Sequence, residues 1–278
     1  MRFFGFIVFF LYLPIACLSQ TYTGIIVDAQ SGQPMAYVNV GVNGKDIGVL
    51  SNEAGHFEID LSSAAADDSL YITSLGYELE VIPVKALTGG ILGIRLYHRD
   101  YYLKEVNIGG LRMQSREKFG RPKPTKATTL YEQDAGLGQG QEWGIRIENG
   151  GERYLLQDIN FHLKLNTADS ALFRVNIYGL YGDMPGESIL RKPIFVRAFK
   201  GRKWVTSDLA SSNVIIDEPV IVALELINVW SDDTSVEIHV SHGEGYESGE
   251  SFGRSSSFAY WERNEHPPLT LYLTGRVF

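Results

Sequence analysis

The sequence predicts an all-β protein built from two sandwich regions. Short runs alternate apolar and polar residues with a period of two, as in Val38-Asn39-Val40-Gly41-Val42 and Phe173-Arg174-Val175-Asn176-Ile177. Turn chemistry separates these runs at intervals of about 8–12 residues, the spacing of sandwiches and barrels. Glycine is frequent, at 29 residues, while long helical patterns are scarce. The 278 residues exceed one average domain of about 150. A hydrophobic content of 44% is enough for proper cores.

The first nineteen residues differ from the rest. Arg2 is followed by a nearly unbroken apolar run, Phe3 to Ile15, and then by the small residues Ala16, Cys17 and Ser19. A secretory signal peptide has this layout. A membrane-spanning helix needs about 20 apolar residues, and Pro14 and Ser19-Gln20 end the run sooner. Residues 1–19 are therefore read as a cleaved signal. Cys17 is the single cysteine, and Ala16-Cys17 after an apolar run is similar to a bacterial lipoprotein site. Pro14 stands where that pattern usually has Leu, so the soluble form is favoured, and membrane association follows only from lipidation at Cys17.

Residues 21–107 read as the first domain. Gly24 to Asp28 is a strand, and Gln30 to Pro34 a turn. Val38 to Val42 alternates, Asn43-Gly44 signals a hairpin with two central residues able to take positive φ, and Asn52 to Gly55 turns the chain before Phe57-Glu58-Ile59. Leu70 to Thr73 and Ile91 to Tyr97 supply further strands, with Leu75-Gly76-Tyr77 a turn between them. Roughly seven strands without an intervening helix predict an antiparallel sandwich. Gly55 is expected to turn where a Cβ would clash, which points Phe57 into the core.

The order Val27-Asp28, Gly32-Gln33-Pro34, Val38-Asn39-Val40, Ser51 to Phe57 and Ser74 to Tyr77 resembles the carboxypeptidase regulatory-like family. Leu103 to Ile108 resembles the strand that ends this module in envelope proteins of Bacteroidetes-type bacteria. The resemblance implies a transthyretin-like β-sandwich with scaffold roles for these residues and no peptidase site. Ser51-Asn52 departs from the family's usual Thr-Asp, and Asn still suits the turn.

Residues 108–142 lose strand periodicity. Gly109-Gly110 opens a stretch holding Arg112, Arg116, Lys118, Arg121, Lys123 and Lys126 against Glu117, with Pro122, Pro124 and Gly136-Leu137-Gly138-Gln139-Gly140. It reads as a basic Pro/Gly linker, or, as the functional alternative, a basic arm touching anionic envelope polymer or lipid head groups. The glycine triplet lacks the spacing of a nucleotide loop.

Residues 143–278 read as a second, jelly-roll-like β-sandwich of eight or so strands. Ile159, Phe161, Leu163 and Leu165, and then Phe173, Val175 and Ile177, face a core, while the residues between them face water or a ligand. Val220 to Leu226 and Leu269 to Leu273 are further strands. The 241–250 loop, with Asp232 and Asp233 nearby, carries oxygen ligands for calcium but no ordered DxDxDG series, so it reads as a solvated loop. Tyr246, Phe252, Tyr260 and Trp261 are candidates for a sugar-stacking platform, or for core.

Catalysis is not expected. None of His56, His98, His162, His239, His242 and His266 begins an H-x-x-E pair. No catalytic, cofactor or metal residue is assigned. A net charge of -8 argues against nucleic acid as a partner. The expected role is an exported envelope protein, periplasmic, outer-membrane-associated or secreted, that binds or scaffolds glycan or a surface protein. A purely structural component of a surface assembly and a glycoside hydrolase are the alternatives.

Overall fold

A computed structural model describes residues 20–99, 115–132, 138–201, 203–243, 251–264 and 267–278. The predicted signal with Cys17, the strand Leu103 to Ile108, Gly109-Gly110, Arg112, Gly136-Leu137, Tyr246 with the rest of 244–250, and His266 lie outside the described residues. Among the described residues no helix is long and apolar enough to cross a membrane.

The molecule is all-β, as the alternation predicts. Its first sandwich comprises β1 (Thr21–Asp28), β2 (Asn39–Val42), β3 (Gly48–Leu50), β4 (His56–Asp60), β5 (Ser69–Thr73), β6 (Glu80–Pro83) and β7 (Ile91–Leu96). One sheet has the order β4-β1-β7 and the other β3-β2-β5-β6. Ile26, Val38, Val40, Phe57, Ile59, Leu70, Ile72 and Leu96 fill the space between them. The sandwich is not purely antiparallel, because β7 runs parallel to β1. After β6 the chain leaves one sheet through a 3-10 turn at Val84–Ala86 and enters the other alongside β1. Gly55 has φ +76°, and a Cβ there would stand 2.6 Å from the Ile26 carbonyl oxygen, as its place before Phe57 predicts. The 43–44 hairpin differs from the prediction. Only Gly44 takes positive φ, and Val42 N–H reaches Ile47 O at 2.9 Å, so the loop spans four residues.

Asp28 ties this sandwich together. Its carboxylate accepts from the Ser31 N–H at 2.6 Å, the Ser31 hydroxyl at 2.9 Å and the Gln30 N–H at 3.0 Å. The Tyr77 hydroxyl donates to it at 2.9 Å, and His98 Nε2 lies at 2.9 Å. The Ser31 donors above all hold the Asp28 carboxyl far below the usual carboxylate range. A depressed folded-state pKa stabilises the fold above the unfolded value of about 3.9 and is lost as pH falls through the folded value. Asp28→Asn should therefore be less stable than the parent at pH 7 in urea unfolding. The gap should close as the pH is taken below about 4; a constant gap refutes the linkage.

The second region carries β8 (Arg116–Gly120), β9 (Pro124–Glu132), β10 (Glu142–Ile147), β11 (Tyr154–Asn166), β12 (Ser170–Tyr181), β13 (Met184–Ser188) and β14 (Ile194–Phe199). It continues through β15 (Trp204–Asp208), β16 (Ile215–Ile216), β17 (Val220–Trp230), β18 (Glu237–Gly243), β19 (Ser251–Arg254), β20 (Glu262–Asn264) and β21 (Leu271–Val277). One seven-stranded sheet has the order β13-β12-β17-β10-β19-β20, with β14 also on β12. The second has the order β8-β21-β11-β18-β9, with β15 and β16 also on β11. Phe161 and Phe173 meet edge to face at 5.3 Å in the shared core, among Ile145, Val175, Leu224 and Leu271.

Three expectations about this region are corrected. Residues 116–120 and 124–132, read as linker, are strands of this second sandwich. β8 pairs with β21 and β9 with β18, and these long-range partners supply what periodicity did not show. The strands also exceed the eight or so predicted, because short β13, β16, β19 and β20 carry little pattern. Leu165 is exposed rather than in the core, since the β11–β18 register shifts between Leu163 and Leu165.

Candidate functional site

The intervening residues of β12 do not face water. Arg174, Asn176 and Tyr178 are all buried, because the first sandwich and the 255–261 segment cover this face of the sheet. The strand register explains what they bury. Arg174 on β12 lies directly opposite Glu225 on β17, Glu225 opposite Glu142 on β10, and Glu142 opposite Arg254 on β19. Four adjacent strands thus carry one row of charge, cation–anion–anion–cation, whose sum is zero.

Arg174 grips Glu225 in a fork, Nε to Oε2 and Nη2 to Oε1, each at 2.7 Å. Asn176 Nδ2 donates to Glu225 Oε2 at 3.2 Å, and the Ser257 hydroxyl donates to Glu225 Oε1 at 3.3 Å. At the other end Arg254 Nη2 donates to Glu142 at 2.5 Å and to the Tyr178 hydroxyl at 2.9 Å, while Tyr178 donates to Glu142 at 2.8 Å. The Arg254 guanidinium also lies 4.4 Å from the centre of the Trp261 ring. Burial works against the Arg174 cation, but Glu225 outweighs it and raises its proton affinity. Burial pushes the Glu225 carboxyl up, with Arg174 opposing, and burial followed by Glu142 raises the Tyr178 phenol well above its usual range.

This row is the seam between the two sandwiches. Arg174 Nη1 donates to the Tyr37 carbonyl at 2.9 Å, and Nη2 to Asn39 Oδ1 at 2.5 Å. Tyr37 takes φ +60°, an uncommon conformation for a residue with a side chain, and its ring meets Phe195 at 5.6 Å. Gly44 N–H donates to the Phe258 carbonyl at 2.8 Å. Two cavities flank the row. One, of about 210 Å³, is bounded by Asn39, Thr73, Tyr77, Glu142 and Arg174 among others. The other, about 550 Å³, opens beyond Arg254 and is lined by Lys45, Asp46, Gln141, Trp143, Tyr260 and Glu262.

The predicted platform is divided by this arrangement. Phe252 is buried in a small cluster with Tyr178, Ile221 and Ala223, and Trp261 packs against it. Tyr260 is 76% exposed and lines the larger cavity. Trp143, which sequence reading passed over as the start of a strand, lines it too; an aromatic beside Gln141 was the available signal. Near the calcium candidates, Asp233 accepts from Lys200 at 2.9 Å, and Asp169 accepts from the Asp232 N–H at 3.3 Å. Among the described residues no His, Cys, Asp and Glu cluster could hold a metal. His162 Nδ1 lies 2.7 Å from the Ser241 hydroxyl, but Ser241 is wholly buried, so that oxygen cannot meet a substrate.

Residues 22–108 match the model of the CarboxypepD_reg-like domain family. The motif residues of this domain are accounted for by its geometry: Asp28 and Tyr77 are hydrogen-bonded to each other, and Gly55 is a required turn glycine. No curated protein matches the chain. Among solved structures, BcpA, the major pilin subunit of Bacillus cereus, aligns over 91% of this chain and 68% of its own. Identity is 11% and the TM-score 0.18, too low to carry an argument about fold or role.

Proposed function

We propose that the protein is an exported, non-catalytic binding and scaffold protein that holds a glycan in the larger cavity at the seam. Export rests on the apolar leader Phe3 to Ile15. The observation that carries the binding reading is the pairing of Trp143 and Tyr260 with Gln141, Asp46 and Glu262 around one open cavity of about 550 Å³. A pyranose has apolar C–H faces and hydroxyl edges. Aromatic rings suit the former, and amide and carboxylate groups suit the latter. The first sandwich contributes Gly44, Lys45 and Asp46 to the same cavity, which gives it a positioning role.

A glycan array followed by calorimetry on the mature chain tests this. Tyr260→Ala, at an exposed position, should weaken neutral-glycan binding at least tenfold with an unchanged melting temperature, and Trp143→Ala should do the same with some loss of stability. Retention of affinity in both variants, or no glycan bound by the parent, removes the reading.

A further inference from the structure

The outer face of the other sheet, on the opposite side of the second sandwich, carries a different surface. β15, β11, β21 and β8 lie side by side, and their register places Trp204 opposite His162, Thr206 and Tyr272 opposite Asn160, and Lys118 opposite Thr274. All these residues therefore share one face. Trp204 meets Tyr272 edge to face at 5.5 Å and His162 at 4.9 Å, and Lys118 Nζ stands 5.2 Å from the centre of the Tyr272 ring. Trp204 is 38% exposed. The Thr206 hydroxyl donates to Asn160 at 2.7 Å, a polar strip between the rings.

The charge here is opposite to that of the whole chain, which is -8. Arg116 and Arg276 lie directly opposite on β8 and β21. Arg116 is neutralised by Asp158, and Thr274 donates to Asp158 at 2.7 Å. Arg276, Lys118 and Lys164 are exposed cations on the same sheet, and Lys203 lies at its rim. Burial, then Lys203 and Lys164, lowers the proton affinity of His162, so the buried ring beneath Trp204 adds no cation to this face at pH 7. The acid on β8, Glu117, faces the other way and accepts from Tyr154 at 3.0 Å. Asp208, opposite Asp158 on β15, shares the face and keeps its charge, so among the described residues of this face four cations, Arg116, Lys118, Lys164 and Arg276, stand against two acids. Like charges gathered across neighbouring strands oppose one another, so the face favours an anionic occupant.

We infer that this face is a second binding site, distinct from the seam, that takes an anionic polysaccharide: sugar rings on Trp204 and Tyr272, acid groups on Lys118, Lys164 and Arg276. A polysaccharide is favoured over a lipid surface because two aromatic rings and the Thr206–Asn160 hydrogen-bonding strip lie side by side on the sheet, the pairing of apolar faces and polar edges that sugar rings match. The basic 116–126 stretch thereby gains a place as part of this sheet.

Calorimetry of the mature chain with dextran sulfate, with unsubstituted dextran of equal length, and with vesicles of phosphatidylcholine and phosphatidylglycerol at three to one tests the site. Dextran sulfate should bind, more weakly as salt rises. Lys118→Glu combined with Lys164→Glu should lower affinity at least tenfold. Trp204→Ala should lower it at least fivefold at an unchanged melting temperature, which charge attraction alone does not explain. Tyr260→Ala should leave it unaltered, so failure here and failure at the seam are told apart. Equal binding of unsubstituted dextran that survives Trp204→Ala, binding of dextran sulfate indifferent to Trp204→Ala, or binding of the vesicles alone overturns the inference.

Discussion

Arg174→Met is expected to lower the unfolding free energy by about 3–5 kcal/mol, because removing one partner of a buried ion pair strands the other. Glu225 is 0% exposed and faces Glu142 across the sheet, so without Arg174 its charge has an anion as its nearest charged neighbour along the row. Met keeps much of the Arg volume, which separates loss of charge from loss of packing. The Tyr37 carbonyl and Asn39 side chain lose their donor at the same moment, so the seam should loosen as well. Combining Arg174→Met with Glu225→Leu should recover much of the lost stability, since an apolar pair of similar size often replaces a buried ion pair at little cost. Urea unfolding followed by circular dichroism measures both variants. A single-variant loss below about 1 kcal/mol, the scale of an exposed pair, would mean that the row is solvated.

The Arg174 pair also marks the limit of what the sequence could tell. Phe173, Val175 and Ile177 read correctly as one buried face. The same alternation assigns Arg174 to water or a ligand, because it reports a sheet with two faces and not what covers the second. Its cover comes from Tyr37 and Asn39, more than a hundred residues away in the chain. The first sandwich was legible for the opposite reason. Its turns depend on local chemistry, such as Asp28 with Ser31 and the positive φ at Gly55, and local chemistry is written in neighbouring residues. β8 and β9 were missed because charge and proline dominate 116–126, while their strand character is set by pairing with β21 and β18. The exposed Tyr260 could be nominated from its residue type. Its separation from Phe252 and Trp261 depends on packing of the 255–261 segment against the first sandwich.

That packing rests on three glycines, and Gly41→Val should cost stability toward the upper end of the roughly 1–3 kcal/mol that overpacking a filled site costs. The β2–β3 hairpin places Gly41, Gly44 and Gly48 against the second sandwich. A Cβ on Gly41 would stand 2.6 Å from Phe258 Cδ2, one on Gly44 2.6 Å from the Tyr260 oxygen, and one on Gly48 2.7 Å from Ser256 Cβ. At Gly41 the Ile47 carbonyl oxygen is closer still, at 2.5 Å, and backbone yields less readily than a side chain. Gly48→Ala, which meets a small side chain alone at close range, should cost less. Adding Phe258→Ala to Gly41→Val apportions the strain: partial recovery assigns it to the seam, and none assigns it to the hairpin backbone. Displacing Phe258 also moves Tyr260, two residues on. Gly41→Val should therefore weaken neutral-glycan binding at the seam and leave dextran sulfate binding on the opposite sheet intact. Equal loss at both surfaces would show that the substitution unfolds the second sandwich instead of parting the seam.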